Sequence, residues 1–185
     1  MEKLLLVGAG GFGRVVLEHA SNLYDCAFLD DGELTVVDGV RVIGKTDDMA
    51  SFYPEYRLLL VAIGNNKLRE RFYREAADIG YSFPNIIHTT AYISPHARVG
   101  SGCVILNNVV VQNNAKCGDG CILNPGVELH HDSSIGSHCL VYTNSVIRSL
   151  THVGDRVWIG SNATISTSAI VPNDGRVEDG ETVKA

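Results

Sequence analysis

The chain is short of positive charge: 15 Lys+Arg stand against 21 Asp+Glu. No basic stripe exists to follow a phosphate backbone, so nucleic acid is not the expected partner. Long apolar runs are missing too. No stretch approaches the roughly 18 apolar residues of a membrane span, and the opening "MEKLLLVGAGG" lacks the long apolar region and small-residue exit of a cleavable signal. Cysteine occurs only five times, an odd number without the spacing of a secreted disulfide framework, which leads us to expect reduced thiols in a cytoplasm. At 185 residues the chain has room for one large domain or two small ones, with a real core.

What is present is a period of six. From Ile93 to Val183 every sixth residue is apolar without a slip, as in Val99, Ile105, Val111, Cys117, Leu123, Leu129 and Ile135. Four residues after these positions small side chains dominate, among them Ala97, Cys103, Ala115, Cys121, Ser133, Cys139 and Ser145. Neither the 3.6 period of a helix nor the alternation of a simple strand produces this pattern. It is the hexapeptide repeat of a parallel β-helix: six residues form one side of a triangular coil, the aliphatic residue points inward, and the small one lets the chain turn. Three sides make an 18-residue coil, so residues 93–183 give about five coils spaced by about 4.8 Å.

The period turns the sequence into columns. Cys103, Cys121 and Cys139 lie eighteen apart and stack, and they read as small apolar fillers of a tight corner rather than as metal ligands. Asn144 and Asn162 form another column, a side-chain ladder or corner turn. In "ELHHDSSIGSHC", Leu129 and Ile135 point inward, which puts His130, His131 and Asp132 where a side ends and the chain turns outward. Their neighbours are Gln112 and Asn113 one coil below, and Arg148 and Ser149 one coil above. Adjacent imidazoles and a carboxylate on the flank of a smooth prism mark this corner as the candidate site.

The first part of the chain has a different grammar. "KLLLVGAGGFGRVVLEHA" reads as a buried strand, a glycine-rich turn and a helix from about Gly11. Gly8, Gly10 and Gly13 form G-x-G-x-x-G at the position the dinucleotide fingerprint requires, where backbone N–H groups can meet a pyrophosphate at a helix N-terminus. "CAFLDD" is a second strand ending in Asp30 and Asp31, placed to bind a ribose hydroxyl or a base. "TVVDGVRVIG" reads as a hairpin about Asp38 and Gly39, and "YRLLLVAIGNN" as a third buried strand with Gly64, Asn65 and Asn66 at its carboxyl edge. A charged helix closed by Gly80 follows. The same glycines also fit a plain strand–helix turn. NAD is the obvious ligand, yet neither a second Rossmann half nor a dehydrogenase catalytic domain follows. We therefore expect two domains, an α/β Rossmann-like half-unit over residues 1–86 and a left-handed parallel β-helix over 87–185.

A short nucleotide unit with "VGAGGFGRVV", "FLDD" and "VAIGNN", followed at once by hexapeptide repeats, resembles the NeuD/PglD family of sugar acyltransferases over nearly the whole chain. The resemblance implies an acetyl-CoA-dependent enzyme of bacterial surface-glycan biosynthesis, assembled as a homotrimer, that acetylates the amino group of a UDP-linked deoxysugar. Charge, apolar runs and cysteine usage lead us to expect, beside it, a cytoplasmic protein with no nucleic-acid or membrane partner, and no metal is expected. The family's catalytic histidine falls on His131 and its acid on Asp132, with no covalent intermediate and Cys139 not a nucleophile. Nucleotide-sugar contacts fall on Gly8, Gly10, Gly11, Phe12, Gly13, Asp30, Asp31, Gly64 and Asn65. The thioester oxyanion falls to backbone N–H groups near Ser149, and His138, Ser149, Gly160 and Ser161 are the candidates for CoA, with Trp158 at an interface or stacked on adenine.

Three departures stand out. Leu140 replaces a second family histidine, Phe12 replaces a histidine in the glycine turn, and the C-terminal "VPNDGRVEDGETVKA" replaces a small-residue tail that helps hold CoA. Leu140 and the altered tail keep open a non-catalytic nucleotide-sugar-binding partner; a sugar O-acetyltransferase of the sialic-acid type also stays open, because the same base serves an amine or a hydroxyl.

Overall fold

The computed structural model describes residues 1–185 and divides into two compact units, Met1–Ile86 and Ile87–Ala185. No helix is long and apolar enough to cross a membrane.

In the first unit, strand β1 (Lys3–Val7) is apolar along nearly its whole length and almost fully buried, as expected of a parallel strand covered on both faces. It runs parallel to β2 (Asp25–Leu29) and to β5 (Leu58–Val61). The hairpin of β3 (Val36–Val37) and β4 (Val40–Gly44) turns at Asp38 and Gly39, both with positive φ, and completes the order β3-β4-β2-β1-β5. Helix α1 (Gly11–Ala20) buries Gly13, Val16, Leu17 and Ala20, the stripe that its spacing predicts. After the short α2 (Met49–Phe52), helix α3 (Asn66–Ile79) ends at Gly80, whose φ of 113° lets its N–H reach the carbonyls of Ala76 and Ala77. Arg69 is fully buried, its guanidinium 2.8 Å from both the Ile63 carbonyl and Asn66 Oδ1. It thereby clamps the end of β5 to α3.

The second unit is a left-handed β-helix. Its three faces consist of two-residue strands, each parallel to the strand eighteen residues away: Val110 pairs with Glu128, Lys116 with Ser134, and Ile122 with Leu140. The first face carries Glu128–Leu129, the second Ser134–Ile135, and the third Leu140–Val141. The inward residues form one apolar column system, with Ile105, Leu123, Leu129, Val141, Ile147, Ile159 and Ile165 wholly buried. Between faces the chain turns in four residues, and the third of these sits in the left-handed region at almost every corner, as at Asn114, Asp132, Asn144, Asn162 and Asp174. Asn and Asp tolerate that conformation where other side chains resist it. Leu150, with φ 62° and half exposed, takes the same position without that tolerance. Leu150→Asn is therefore expected to raise the unfolding free energy by about 1 kcal/mol, measured by chemical denaturation.

The cysteine column fills the corner between the second and third faces. Cys103, Cys121 and Cys139 are fully buried, and their thiols donate to the carbonyls of Gly118, Gly136 and Gly154 at 3.1–3.2 Å. Each thiol thus ties its corner to the coil above.

Candidate active site

The histidines of the central coil are separated by the turn itself. His130 is only partly exposed and directs Nε2 to Glu128 Oε2 at 3.0 Å, back along the first face. His131, one residue further, projects from the corner with 57% of its side chain exposed. Its Nδ1 lies 2.9 Å from Asp132 Oδ2, and its Nε2 lies 2.9 Å from Ser149 Oγ in the coil above. The coil below completes the arrangement. Asn114 Nδ2 donates to Asp132 Oδ1 at 3.0 Å, and Gln112 Oε1 accepts from the His131 backbone N–H at 3.0 Å. Hydrogen bonds from His131 and from Asn114 hold the Asp132 carboxyl below the usual carboxylate range, so it stays ionised and anchors a proton on Nδ1. Nε2 is left as the basic nitrogen.

Below this corner lies a cleft of about 630 Å³ lined by Tyr92, Pro95, His96, Asn113, His131 and Asp132, among others. Polar side chains predominate among its lining residues, with Tyr92 and Pro95 beside them.

A second cleft, of about 550 Å³, opens at the carboxyl ends of β1, β2 and β5. Gly8, Gly10, Gly11, Phe12, Asp30, Asp31 and Gly64 line it, joined by Thr46, Ile63, Leu68 and Arg71. A methyl group built on Gly10 or Gly11 would meet nothing within 4 Å, so the turn leaves open space where a ligand can approach the backbone. No side chain caps α1 and no acid stands in its first turn, which leaves its N-terminus attractive to an anion.

The two acids that follow β2 differ from the simple expectation because the protein itself uses them. Asp30 accepts from the N–H groups of Ala9 at 2.7 Å and Gly32 at 2.8 Å, fixing the glycine turn. Asp31 accepts from the backbone N–H of Thr46 at 2.9 Å and from its hydroxyl, and these bonds lower its pKa from the ordinary value. Both still line the cleft.

Other expected contacts are absent from the clefts. Gly13 lies under the turn, where an added Cβ would stand 2.1 Å from the Gly8 carbonyl oxygen; it permits close strand–helix packing instead of meeting a ligand. Asn65 caps α3, its Oδ1 accepting from Leu68 N–H at 3.0 Å. The four CoA candidates are dispersed over all three corners within one chain. Ser149 shares the His131 corner, His138 lies between the second and third faces, and Gly160 and Ser161 lie between the third and first. The acidic tail has a structural part as well: Asp179 Oδ1 accepts from Ser161 N–H, just as Asp119 serves Ser101 and Asp155 serves Ser137. Trp158 is half-buried, its ring 5.2 Å from Tyr142 and covered by Arg176 at 3.8 Å.

Sequence reasoning missed Asn114 and Arg71. The eighteen-residue period alone places Asn114 beneath Asp132; Arg71 carries no local signal beyond its place on a charged helix.

A β-helix with a polar catalytic-type corner, preceded by a glycine-turn nucleotide unit, defines a two-part transferase architecture. Residues 3–76 match the model of the PglD N-terminal domain. The acetyltransferase domain of PglB from Neisseria gonorrhoeae superposes with a TM-score of 0.95 at 32% identity, over 100% of this chain and 92% of that one. A histidine variant of perosamine N-acetyltransferase from Caulobacter crescentus, in complex with CoA and GDP-perosamine, gives 0.95 at 29% identity, over 100% and 89%. The UDP-N-acetylbacillosamine N-acetyltransferase of Bacillus subtilis (strain 168) is 31% identical over 114 residues, 57% of this chain; the chain spans about half, 52%, of that relative. The chain belongs to the NeuD/PglD family of sugar acyltransferases.

Proposed function

We propose that this protein transfers an acetyl group from acetyl-CoA to the amino group of a nucleotide-linked amino-deoxysugar, with His131 as general base. The observation that carries the proposal is the pair of hydrogen bonds, one on each ring nitrogen, that leaves Nε2 of an exposed imidazole basic while Asp132 secures Nδ1. An amine attacking a thioester must lose a proton, and a positioned imidazole typically contributes about 10²- to 10⁴-fold. Asp132 favours the required tautomer and stabilises the transient imidazolium.

The oxyanion falls to the backbone N–H of Ser149. Equivalent corner N–H groups of Ser101, Ser137 and Ser161 are taken by aspartates, and that of His131 by Gln112, whereas nothing in the chain accepts from Ser149 N–H. A donor left open beside the base suits the charge that develops on a thioester carbonyl.

The glycine-turn cleft takes the nucleotide. Its open Gly10 and Gly11 and the uncapped α1 N-terminus suit a diphosphate, and Asp31 suits the base. Relatives acting on UDP- and GDP-linked sugars both occur, so the nucleoside diphosphate is the shared chemistry. His138, Gly160 and Ser161 take part in CoA binding only if corners of different copies meet, which is the sense of a homotrimer.

The test is incubation with acetyl-CoA and a panel of UDP- and GDP-linked amino sugars, read by mass spectrometry and thiol release. One sugar is expected to gain a single acetyl group with one free CoA thiol for each transfer. Tight binding of such sugars without transfer to any of them would instead make the chain a binding partner.

A further inference from the structure

Nε2 of His131, the nitrogen that must take the proton, already has a partner. Because the ionised Asp132 carboxylate keeps the proton on Nδ1, Nε2 offers only a lone pair. At 2.9 Å the Ser149 hydroxyl can meet it only by donating its own proton. The two oxygen lone pairs of Ser149 are then what an incoming nucleophile encounters.

The other histidines make a useful contrast. His130 directs Nε2 to Glu128, and His152 directs Nδ1 to Ser134 Oγ at 2.8 Å across adjacent coils of the second face. Of these three, His131 is the one whose imidazole links a carboxylate on one nitrogen to a hydroxyl on the other. The link is also pinned on both sides. Asn114 holds Asp132 from the coil below, and the Ser149 carbonyl accepts from Ser168 N–H in the coil above, at 3.2 Å.

We infer that the Ser149 hydroxyl is a catalytic proton relay between the acceptor amine and His131. The inference rests on the general-base reading above and adds a group to it. As the amine nitrogen bonds to the thioester carbonyl carbon, an N–H proton passes to Ser149 Oγ while the Oγ proton passes to His131 Nε2. When the C–S bond breaks, the imidazolium proton returns through the same hydroxyl to the CoA thiolate. The amine has lost one proton, the thiol has gained one, and serine and histidine are restored. No bond forms between Ser149 and the acyl group.

The test compares the native chain with Ser149→Ala, Ser149→Thr and His131→Ala, using acetyl-CoA and the UDP- or GDP-linked amino sugar acetylated in the panel above. Ser149→Ala is expected to lower kcat by about tenfold or more with little change in either KM, and Ser149→Thr to restore most of it. The dependence of rate on the D₂O fraction is expected to curve in the native chain, with more than one proton moving, and to become linear in Ser149→Ala. Without any acceptor, ¹⁵N NMR is expected to show the Nε2 resonance of His131 shifting in Ser149→Ala as its hydrogen bond is lost. Full activity in Ser149→Ala, a linear native isotope profile, or an unmoved Nε2 resonance would overturn the relay. So would an acetyl group on Ser149 after exposure to acetyl-CoA alone, which would make the serine a nucleophile. In each of these cases loss of activity in His131→Ala leaves the base assignment intact, whereas undiminished activity in His131→Ala removes the base and the relay together.

Discussion

His131→Ala is expected to lower kcat by at least about 10²-fold while leaving nucleotide-sugar affinity and thermal stability close to those of the native chain. The physical reason is the division of labour between the two units. The side chain is more than half exposed and lies outside the buried core cluster, so its removal leaves no core cavity. The proposed nucleotide cleft belongs to residues 1–86, and the variant does not touch it. The matched control is His130→Ala, one residue away, whose imidazole turns back to Glu128 and whose loss is expected to change kcat less than about threefold. Steady-state kinetics on the two variants reads the contrast directly. The pH profile adds a sign. A base works only in its proton-free form, so kcat/KM is expected to fall on the acid side. The Asp132 carboxyl, held below its ordinary range by its bonds to His131 and Asn114, stays ionised to lower pH than an ordinary carboxyl, and the tautomer support it gives is expected to be lost only when the pH falls through that lowered value. Equal losses in both histidine variants would show that the corner as a whole, and not one nitrogen, matters.

The second large effect separates two glycines only two residues apart. Gly13→Ala places a methyl 2.1 Å from the Gly8 carbonyl oxygen and 3.1 Å from its carbon. Both atoms are backbone, just past the end of the almost fully buried β1, and α1 must be pushed off the sheet. Overpacking of this kind typically costs about 1–3 kcal/mol and occasionally more, so the first unit is expected to melt well below the native midpoint. Gly11→Ala behaves in the opposite way. Its methyl meets nothing within 4 Å, and alanine for glycine in the first turn of a helix stabilises by up to about 1 kcal/mol. The melting midpoint should hold or rise, yet the methyl enters the cleft that Gly11 lines, and nucleotide-sugar affinity is expected to fall about tenfold, or ~1.4 kcal/mol. Differential scanning calorimetry and titration calorimetry give the two readouts. If Gly11→Ala bound the nucleotide sugar as tightly as the native chain, the ligand would not pass over the turn.

Much of this was legible beforehand because a period is a strong constraint. An inward residue every sixth position and a coil of eighteen leave one register, and the observed pairings of Val110 with Glu128 and Val146 with Thr164 are that register. The same count put Ser149 directly above His131. It had less to say about which of two adjacent histidines faces outward, because the identity of a turn residue does not reveal its partner; the Glu128 contact of His130 does. The glycine fingerprint likewise located the first cleft without sorting its members. Gly10 and Gly11 face open space while Gly13 packs against backbone, and Asn65, a reasonable contact by position, is spent on capping α3.

By itself the sequence determined the β-helix, the glycine-turn unit before it, and the corner at which an imidazole and a carboxylate stand together. These follow from spacing, which a regular coil converts into position with little freedom. Only the tertiary structure decided how those groups are bonded: Asp30 bound to the turn it follows, Asn114 beneath Asp132, and the Ser149 hydroxyl on the one nitrogen of His131 that chemistry needs. Such links join residues eighteen or more apart, and the side-chain directions they need are set by how strands and coils stack.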